Sequence, residues 1–425
     1  MKKALLIAYQ YPPFHGSSAV QRTLALSRYL PDHKWQPIVL TVPSFIHGST
    51  GYEHVLEIPE NVIVKRAFAL DTAKHLSISG RYLLWMALPD KLISWLFFAV
   101  PYGLYIINKY KPNILWSTYP VATAHLIGFT LHCLTGIPWI ADFRDPMSEE
   151  NWPDSPTIRK AHRFIESRII GHSSYNVFTS PSALKSCAER YPDIPSSRWQ
   201  IIPNGYNEQD FSGFDKILKE NKSQKKHSDT PLTLVHAGLL DPHMRDPIPF
   251  LRALSSLFKN ERISRSDLRI IFRGCSQEER YRKIAHELGI EDIVLVKPEV
   301  SYREAILEMA SADGFLIFQG TNCNLSIPAK IYEYLRLRHP ILAMTDPEGD
   351  TAGLLKTMGI NTIVPMDSEE DIIQALPDFI DHVKQGTYAV ASDEEIRKYD
   401  RKNQVFEFVS LFENAMSREA AKVTK

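Results

Sequence analysis

Residues 318–340 read FQGTNCNLSIPAKIYEYLRLRHP and lie between two short apolar runs, 314–317 and 341–344. A strand, a loop of small residues, a short helix and a second strand is how an open α/β sheet presents a ligand. The loop 320–326, with Asn324 and Ser326 in it, is short of bulky side chains, so its backbone N–H groups are free to turn towards a bound molecule. Pro328 suits the first turn of the helix that follows, where a missing N–H costs nothing. Lys330 and Glu333 then share a helix face at i,i+3 and offer one cation and one acceptor at the helix entrance. Free N–H groups and the helix dipole favour an anion there. The plain alternative is an exposed ion pair worth roughly 0.2–0.5 kcal/mol.

Working outward, strand-like apolar runs alternate with amphipathic segments along both halves of the chain, which predicts an α/β protein with two doubly wound parallel sheets. At 425 residues the chain is too long for one ordinary core, so two domains are expected. Equal numbers of basic and acidic residues, 49 each, argue against a nucleic-acid binder that relies on a basic field. The four cysteines, Cys133, Cys187, Cys275 and Cys323, form no CxxC pair, so neither a zinc site nor a disulfide framework is expected and a reducing setting fits. The N-terminal apolar run resembles a signal peptide but is cut short by Tyr9, Tyr11, Pro12 and Pro13, and it reads as a first buried strand.

Residues 81–111 are dense in Trp, Phe, Tyr and Leu, yet Pro101 interrupts them and the unbroken part falls below the roughly 20 residues a spanning helix needs. Two readings stay open: a buried helix covering the sheet, or a helix at a membrane interface with Trp85, Trp95 and Tyr102 at headgroup depth. Burial is the preferred one. Asp142, Arg144 and Asp145 lie where the run 138–142 ends, at the carboxyl end of an expected parallel strand, as a ligand-facing trio or a structural salt bridge. Arg245 precedes a helix, and Arg273 and Gly274 end a strand. Residues 216–230 are lysine-rich and without aromatics, as in a solvated linker. Ser301 and Glu304 form a capping box, which gives Glu304 a structural task.

Pro328, Lys330, Glu333, Tyr334 and Pro340, followed by Ile341 and Leu342, resemble the donor-site signature P-x-K-x-x-E-Y…P-I-L of the family 4 retaining glycosyltransferases, which have the GT-B fold. The resemblance extends over the chain in order. Y-P-P…G opens it with Gly16, and Ser17 stands where a second glycine is common. Ser117, Thr118 and Pro120, through His125 to the D-F-R-D-P run ending at Pro146, match a stretch found in the lipopolysaccharide and capsule branches. I-P-N-G-Y at 202–206 is similar to the hinge segment, and Arg245, Asp246 and Pro247 to an R-D-P element. Many members carry an acid eight residues before the glutamate, where this chain has Leu325.

The resemblance implies two Rossmann-like domains facing a cleft: residues 1–205 on the acceptor side, a hinge and linker at 206–231, a nucleotide-sugar-binding domain at 232–393, and a final helix at 394–416 packing back on the first domain. It implies that Glu333 hydrogen-bonds the ribose of a sugar nucleotide. Gly16, Ser17, Arg245, Arg273, Asn324, Ser326 and Lys330 complete the donor-binding set, and Asp142, Arg144 and Asp145 the catalytic one, with Asp142 or Asp145 acting on the acceptor hydroxyl. It also implies retention of configuration. No DxD-type carboxylate pair ends a strand, so metal-independent transfer is expected, with no cofactor beyond the nucleotide-sugar co-substrate. The expected partners are that donor and a glycan or lipid-linked acceptor in cell-surface polysaccharide assembly, in the cytoplasm, with a peripheral contact at the inner face of the plasma membrane. Two alternatives are a sugar-nucleotide-binding scaffold without turnover and a sugar-nucleotide 2-epimerase; the loop 321–326 lacks the acid/base residues the second requires.

Overall fold

The computed structural model describes residues 1–14, 18–47, 58–213 and 230–423. The chain divides into two compact units, the first made of Met1–Asn204 and Arg401–Lys425 and the second of Gly205–Asp400.

In the first unit seven parallel strands lie in the order β3-β2-β1-β4-β5-β6-β7. They are β1 (Lys2–Ile7), β2 (Trp35–Thr41), β3 (Ile63–Arg66), β4 (Ile114–Thr118), β5 (Trp139–Arg144), β6 (Tyr175–Phe178) and β7 (Trp199–Ile201). β1, β2, β4, β5 and β6 are continuous apolar runs because helices cover both faces of the sheet, so alternation would leave polar groups buried. The chain steps outward from β1 to β3 and returns to β4, which puts the switch in direction between β1 and β4. The helix Arg401–Val423 completes this unit's core: Phe412 meets Trp35 edge-on with ring centroids 5.4 Å apart, and Phe408 meets Trp116 at 6.0 Å. Each such buried ring contributes about 1.5–3 kcal/mol.

The helix Ser94–Tyr110 is split in character. Trp95, Ala99, Gly103 and Ile106 face inward, and at Gly103 an added Cβ would stand 2.7 Å from Leu131 Cδ1 on the neighbouring helix Ala122–Thr135, which would have to shift. Phe97, Phe98 and Tyr105 face solvent. The burial reading therefore holds for one face of this helix. Trp95, fully buried, is unavailable for headgroup contact. No helix among the described residues is long and apolar enough to cross a membrane.

In the second unit six parallel strands lie in the order β10-β9-β8-β11-β12-β13, namely β8 (Leu232–Ala237), β9 (Leu268–Arg273), β10 (Val294–Lys297), β11 (Gly314–Phe318), β12 (Ile341–Met344) and β13 (Ile363–Val364). The same outward-and-return path puts this unit's switch between β8 and β11. Apolar side chains pack on both sides of the sheet, with Phe250, Phe272 and Phe318 on one and Phe315, Tyr334 and Leu335 on the other.

The single final helix expected over 394–416 is two helices, Asp393–Arg397 and Arg401–Val423. The break coincides with the boundary between units, because Tyr206 pairs there with Asp400 and its N–H donates to Tyr399 O at 3.1 Å. Residues 394–400 thus belong to the second unit. Most of the linker reading, at 214–229, lies outside the described residues.

Candidate functional site

In the second unit the organising stretch forms the loop after β11 and the helix Lys330–Leu337. Buried Gln319 holds that loop: its Nε2 donates to Cys323 O at 2.8 Å and to Ser326 O at 2.7 Å. The loop is also tied to the segment after β8, since Gly320 N donates to Met244 O at 2.7 Å and Asn322 Nδ2 to His243 O at 2.8 Å. Gly238, at φ 140°, lies against Lys330, with Lys330 Cγ 3.9 Å from where a Cβ would be. These contacts gather the ends of β8 and β11 at the switch point.

Three basic groups meet there. Arg245 makes no side-chain hydrogen bond or ion pair with any described residue. Lys330 Nζ stands 3.1 Å from Glu333 Oε2. His236, buried, donates through Nδ1 to Leu316 O at 2.9 Å; burial first, and Arg245 and Lys330 nearby, push its imidazole down to about 4, so the ring is neutral. Glu333 is buried rather than surface-exposed, and Tyr302 Oη donates to its Oε1 at 2.9 Å. A buried carboxylate held by one lysine and one tyrosine is not the weak exposed pair of the plain reading. Pro328 precedes the helix instead of sitting inside it, and its carbonyl accepts from Ile331 N at 3.0 Å in a tight first turn.

Other expected donor residues are committed elsewhere. Arg273 is a correction: its Nε and one terminal nitrogen fork onto Glu308 at 2.7 Å each, and the other terminal nitrogen donates to Pro298 O at 2.7 Å, so the guanidinium serves the fold. Asn324 Nδ2 donates to Asp346, and Ser326 Oγ folds back on Cys323 O at 3.2 Å. Gly16 and Ser17 lie outside the described residues.

In the first unit the trio at the carboxyl end of β5 separates into different roles. Asp142 is fully buried; Arg22 Nε donates to its Oδ2 at 2.8 Å and Arg22 Nη2 to its Oδ1 at 2.9 Å, with Thr118 Oγ1 donating to Oδ2 at 3.2 Å. That is a structural fork, which corrects the catalytic expectation for Asp142. Arg144 also departs from that expectation. Its backbone is left-handed at φ 64°, at a bulge in the β5–β6 pairing, and its buried guanidinium reaches Tyr119 O at 3.4 Å. The bulge turns the chain so that Asp145 keeps part of its surface. Burial pushes the Asp145 carboxyl above the ordinary value of 3.8, against the opposing pull of Arg144 and Arg22.

The loop that carries Asp145 is braced from below. Glu166 accepts from Met147 N at 2.9 Å and Ser148 N at 3.3 Å, while Arg190 Nη1 donates to Glu166 Oε1 at 2.6 Å and Tyr191 Oη to the same oxygen at 3.0 Å. Arg22, Glu166, Gln319 and Tyr302 were not singled out from sequence; Arg22, Glu166 and Tyr302 act through partners on other elements, and Gln319 through two carbonyls of its own loop. Among the described residues no three His, Cys, Asp or Glu side chains gather as a metal site would require.

No family model matches the chain, and no curated protein matches it. Solved structures do. A sucrose-phosphate synthase from Thermosynechococcus elongatus is 13% identical over 98% of this chain and 100% of that one, with a TM-score of 0.66. HepE from Anabaena, solved in complex with UDP-glucose, is 13% identical over 96% of this chain and 100% of that one at 0.61. WaaG, a glycosyltransferase involved in lipopolysaccharide biosynthesis, is 13% identical over 97% of this chain and 98% of that one at 0.58. At such identities the likeness concerns the fold: two Rossmann-like units of the GT-B type.

Proposed function

We propose that this chain is a metal-independent, retaining glycosyltransferase that moves a sugar from a nucleotide-sugar to a glycan or lipid-linked acceptor, in the cytoplasm at the inner face of the plasma membrane. The observation that carries this reading is the Lys330–Glu333 pair beside Arg245 at the β8/β11 switch point, where an anion and a polar ring hydroxyl find complementary groups. Similar structures were solved with UDP and UDP-glucose, which supports a nucleotide-sugar donor.

Transfer requires that charge building on the departing diphosphate be stabilised. Arg245 supplies a planar fork suited to phosphate, and Lys330 a second cation. Neutral His236 leaves that positive charge to these two groups. Glu333 accepts from the ribose while Tyr302 and Lys330 hold it in place. Asp145, with its raised carboxyl, orients or deprotonates the acceptor hydroxyl.

A melting-temperature panel with UDP, GDP, ADP and CMP tests the reading. A ligand at about a hundred times its Kd adds roughly 2.7 kcal/mol to the state it binds. One nucleotide stabilising the wild type, and Glu333→Ala less, is the expected result. No shift with any nucleotide at millimolar concentration removes the donor reading; a shift without turnover of any cognate nucleotide-sugar favours the scaffold.

A further inference from the structure

Among the described residues, ten of the eighteen large apolar side chains left exposed fall between Phe45 and Tyr105. They are not scattered. Phe45, Phe68 and Phe98 form a chain of ring contacts with centroids 6.1 and 4.9 Å apart, and Phe45 meets His75 edge-on at 6.3 Å, which joins four separate segments of the first unit into one patch. The segment 70–91 extends it: Thr72 Oγ1 donates to Met86 O at 2.7 Å and Thr72 N to Lys91 O at 2.8 Å, and the tight Ile78–Arg81 pairing holds Ile78 outward at 82% exposure. Trp85 is 69% exposed and Phe97 70%. A joined cluster of exposed rings, with further exposed apolar side chains on the segments that carry it, marks an interaction face.

The charge around the patch identifies what covers it. Residues 67–111 contain five basic side chains, Lys74, Arg81, Lys91, Lys109 and Lys111, all exposed, against two carboxylates. Both carboxylates are engaged within the chain: half-buried Asp71 caps the short helix Thr72–His75 through Ala73 N and Lys74 N, and Asp90 accepts from Thr123 and Leu92. The chain as a whole is neutral, so this excess of cations is local. In a two-fold self-association these cations would sit across an isologous interface from one another. A bilayer with anionic headgroups complements them instead, with Trp85, Phe97 and Phe98 at the acyl boundary and the lysines and arginine at phosphate level.

We infer that this face of the first unit docks on an anionic lipid bilayer. It gives the peripheral placement proposed above a surface and a lipid chemistry, and it is read out separately from nucleotide binding, which concerns the second unit. The test is co-sedimentation of the full chain with phosphatidylcholine vesicles and with equal mixtures of phosphatidylcholine and phosphatidylglycerol. A triple variant, Ile78→Glu, Trp85→Glu and Phe98→Glu, removes two exposed rings and one exposed aliphatic side chain, none of them in the core. The wild type is expected to bind the anionic vesicles, to bind pure phosphatidylcholine at least about tenfold more weakly, and to lose binding in high salt. The triple variant is expected to lose about tenfold or more of the binding while keeping the wild-type melting temperature and nucleotide-induced shift. Wild-type protein that stays in the supernatant with both vesicles, or a triple variant that binds equally well, overturns the inference. A concentration-dependent dimer dissolved by the same substitutions, without vesicle binding, assigns the face to a second copy and also overturns it.

Discussion

Arg22 and Asp142, 120 residues apart, are locked in a buried two-point fork at 2.8 and 2.9 Å. Arg22 also donates to Pro203 O at 2.9 Å and Ile202 O at 3.0 Å, and its guanidinium lies 5.0 Å from the ring centroid of Phe408. The pair thus joins the end of β5, the helix Ser18–Tyr29, the segment after β7 and the C-terminal helix. Removing one partner leaves a buried charge uncompensated. Arg22→Met or Asp142→Asn should each cost about 3–5 kcal/mol in urea unfolding, with the double substitution recovering part of the loss. Single variants as stable as the wild type would make the fork dispensable.

Asp145 is expected to behave differently. Asp145→Asn should leave the melting temperature near the wild-type value and lower turnover of the nucleotide-sugar by about 10²–10⁴-fold. A base must be deprotonated to act, and burial raises this carboxyl, so the wild-type rate should fall on acidification along a limb lying above 3.8. Retention of full turnover by the asparagine variant removes Asp145 from the mechanism.

Glu333→Ala should weaken nucleotide binding by about 1–3 kcal/mol in calorimetry, through a lost buried hydrogen bond. Tyr302→Phe keeps the carboxylate and removes one of its two braces. A smaller loss, about 0.5–1.5 kcal/mol, is expected there. Equal losses in both variants would mean that Tyr302 contacts the ligand itself.

Burial pushes the His125 imidazole from 6.5 down to about 3. Below about pH 6.5 the unfolded chain takes up a proton that the folded chain refuses, so this group stabilises at neutral pH and its contribution drains away on acidification at about 1.4 kcal/mol per unit. The raised carboxyl of Asp145 has the opposite sign, which makes the comparison between wild type and variant the informative one. His125→Gln should lose less stability than the wild type between about pH 7 and about pH 5 in thermal unfolding. A parallel decline in both proteins would contradict the assignment.

The two sheets were legible because buried parallel strands have to be continuous apolar runs, and the turns between them carry glycine and proline. The Lys330–Glu333 pair was legible too, since helical spacing alone aligns i and i+3. Asp142 and Asp145 could not be told apart, because what separates them is an arginine 120 residues upstream and a bulge that periodicity does not record. Arg273 stood at a strand end like any ligand residue, and only the fold shows Glu308 occupying it. The break before Arg401 went unseen because no residue from 398 to 400 is a glycine or proline; pairing with Tyr206 stops the helix there.

The second unit is an insertion in the first, entered after Asn204 and left before Arg401, and Gln404 Nε2 donates to Asn204 O at 3.1 Å across the point of insertion. During synthesis this reverses the order in which the units mature. All seven strands of the first sheet emerge early, but Trp35 and Trp116 stay uncovered until residues 401–415 have been made. By then the second unit already has its whole sequence. The sheet translated first is therefore the last to close its core, and in the interval its tryptophan face lacks the cover that Phe408 and Phe412 supply, an aggregation hazard for the nascent chain.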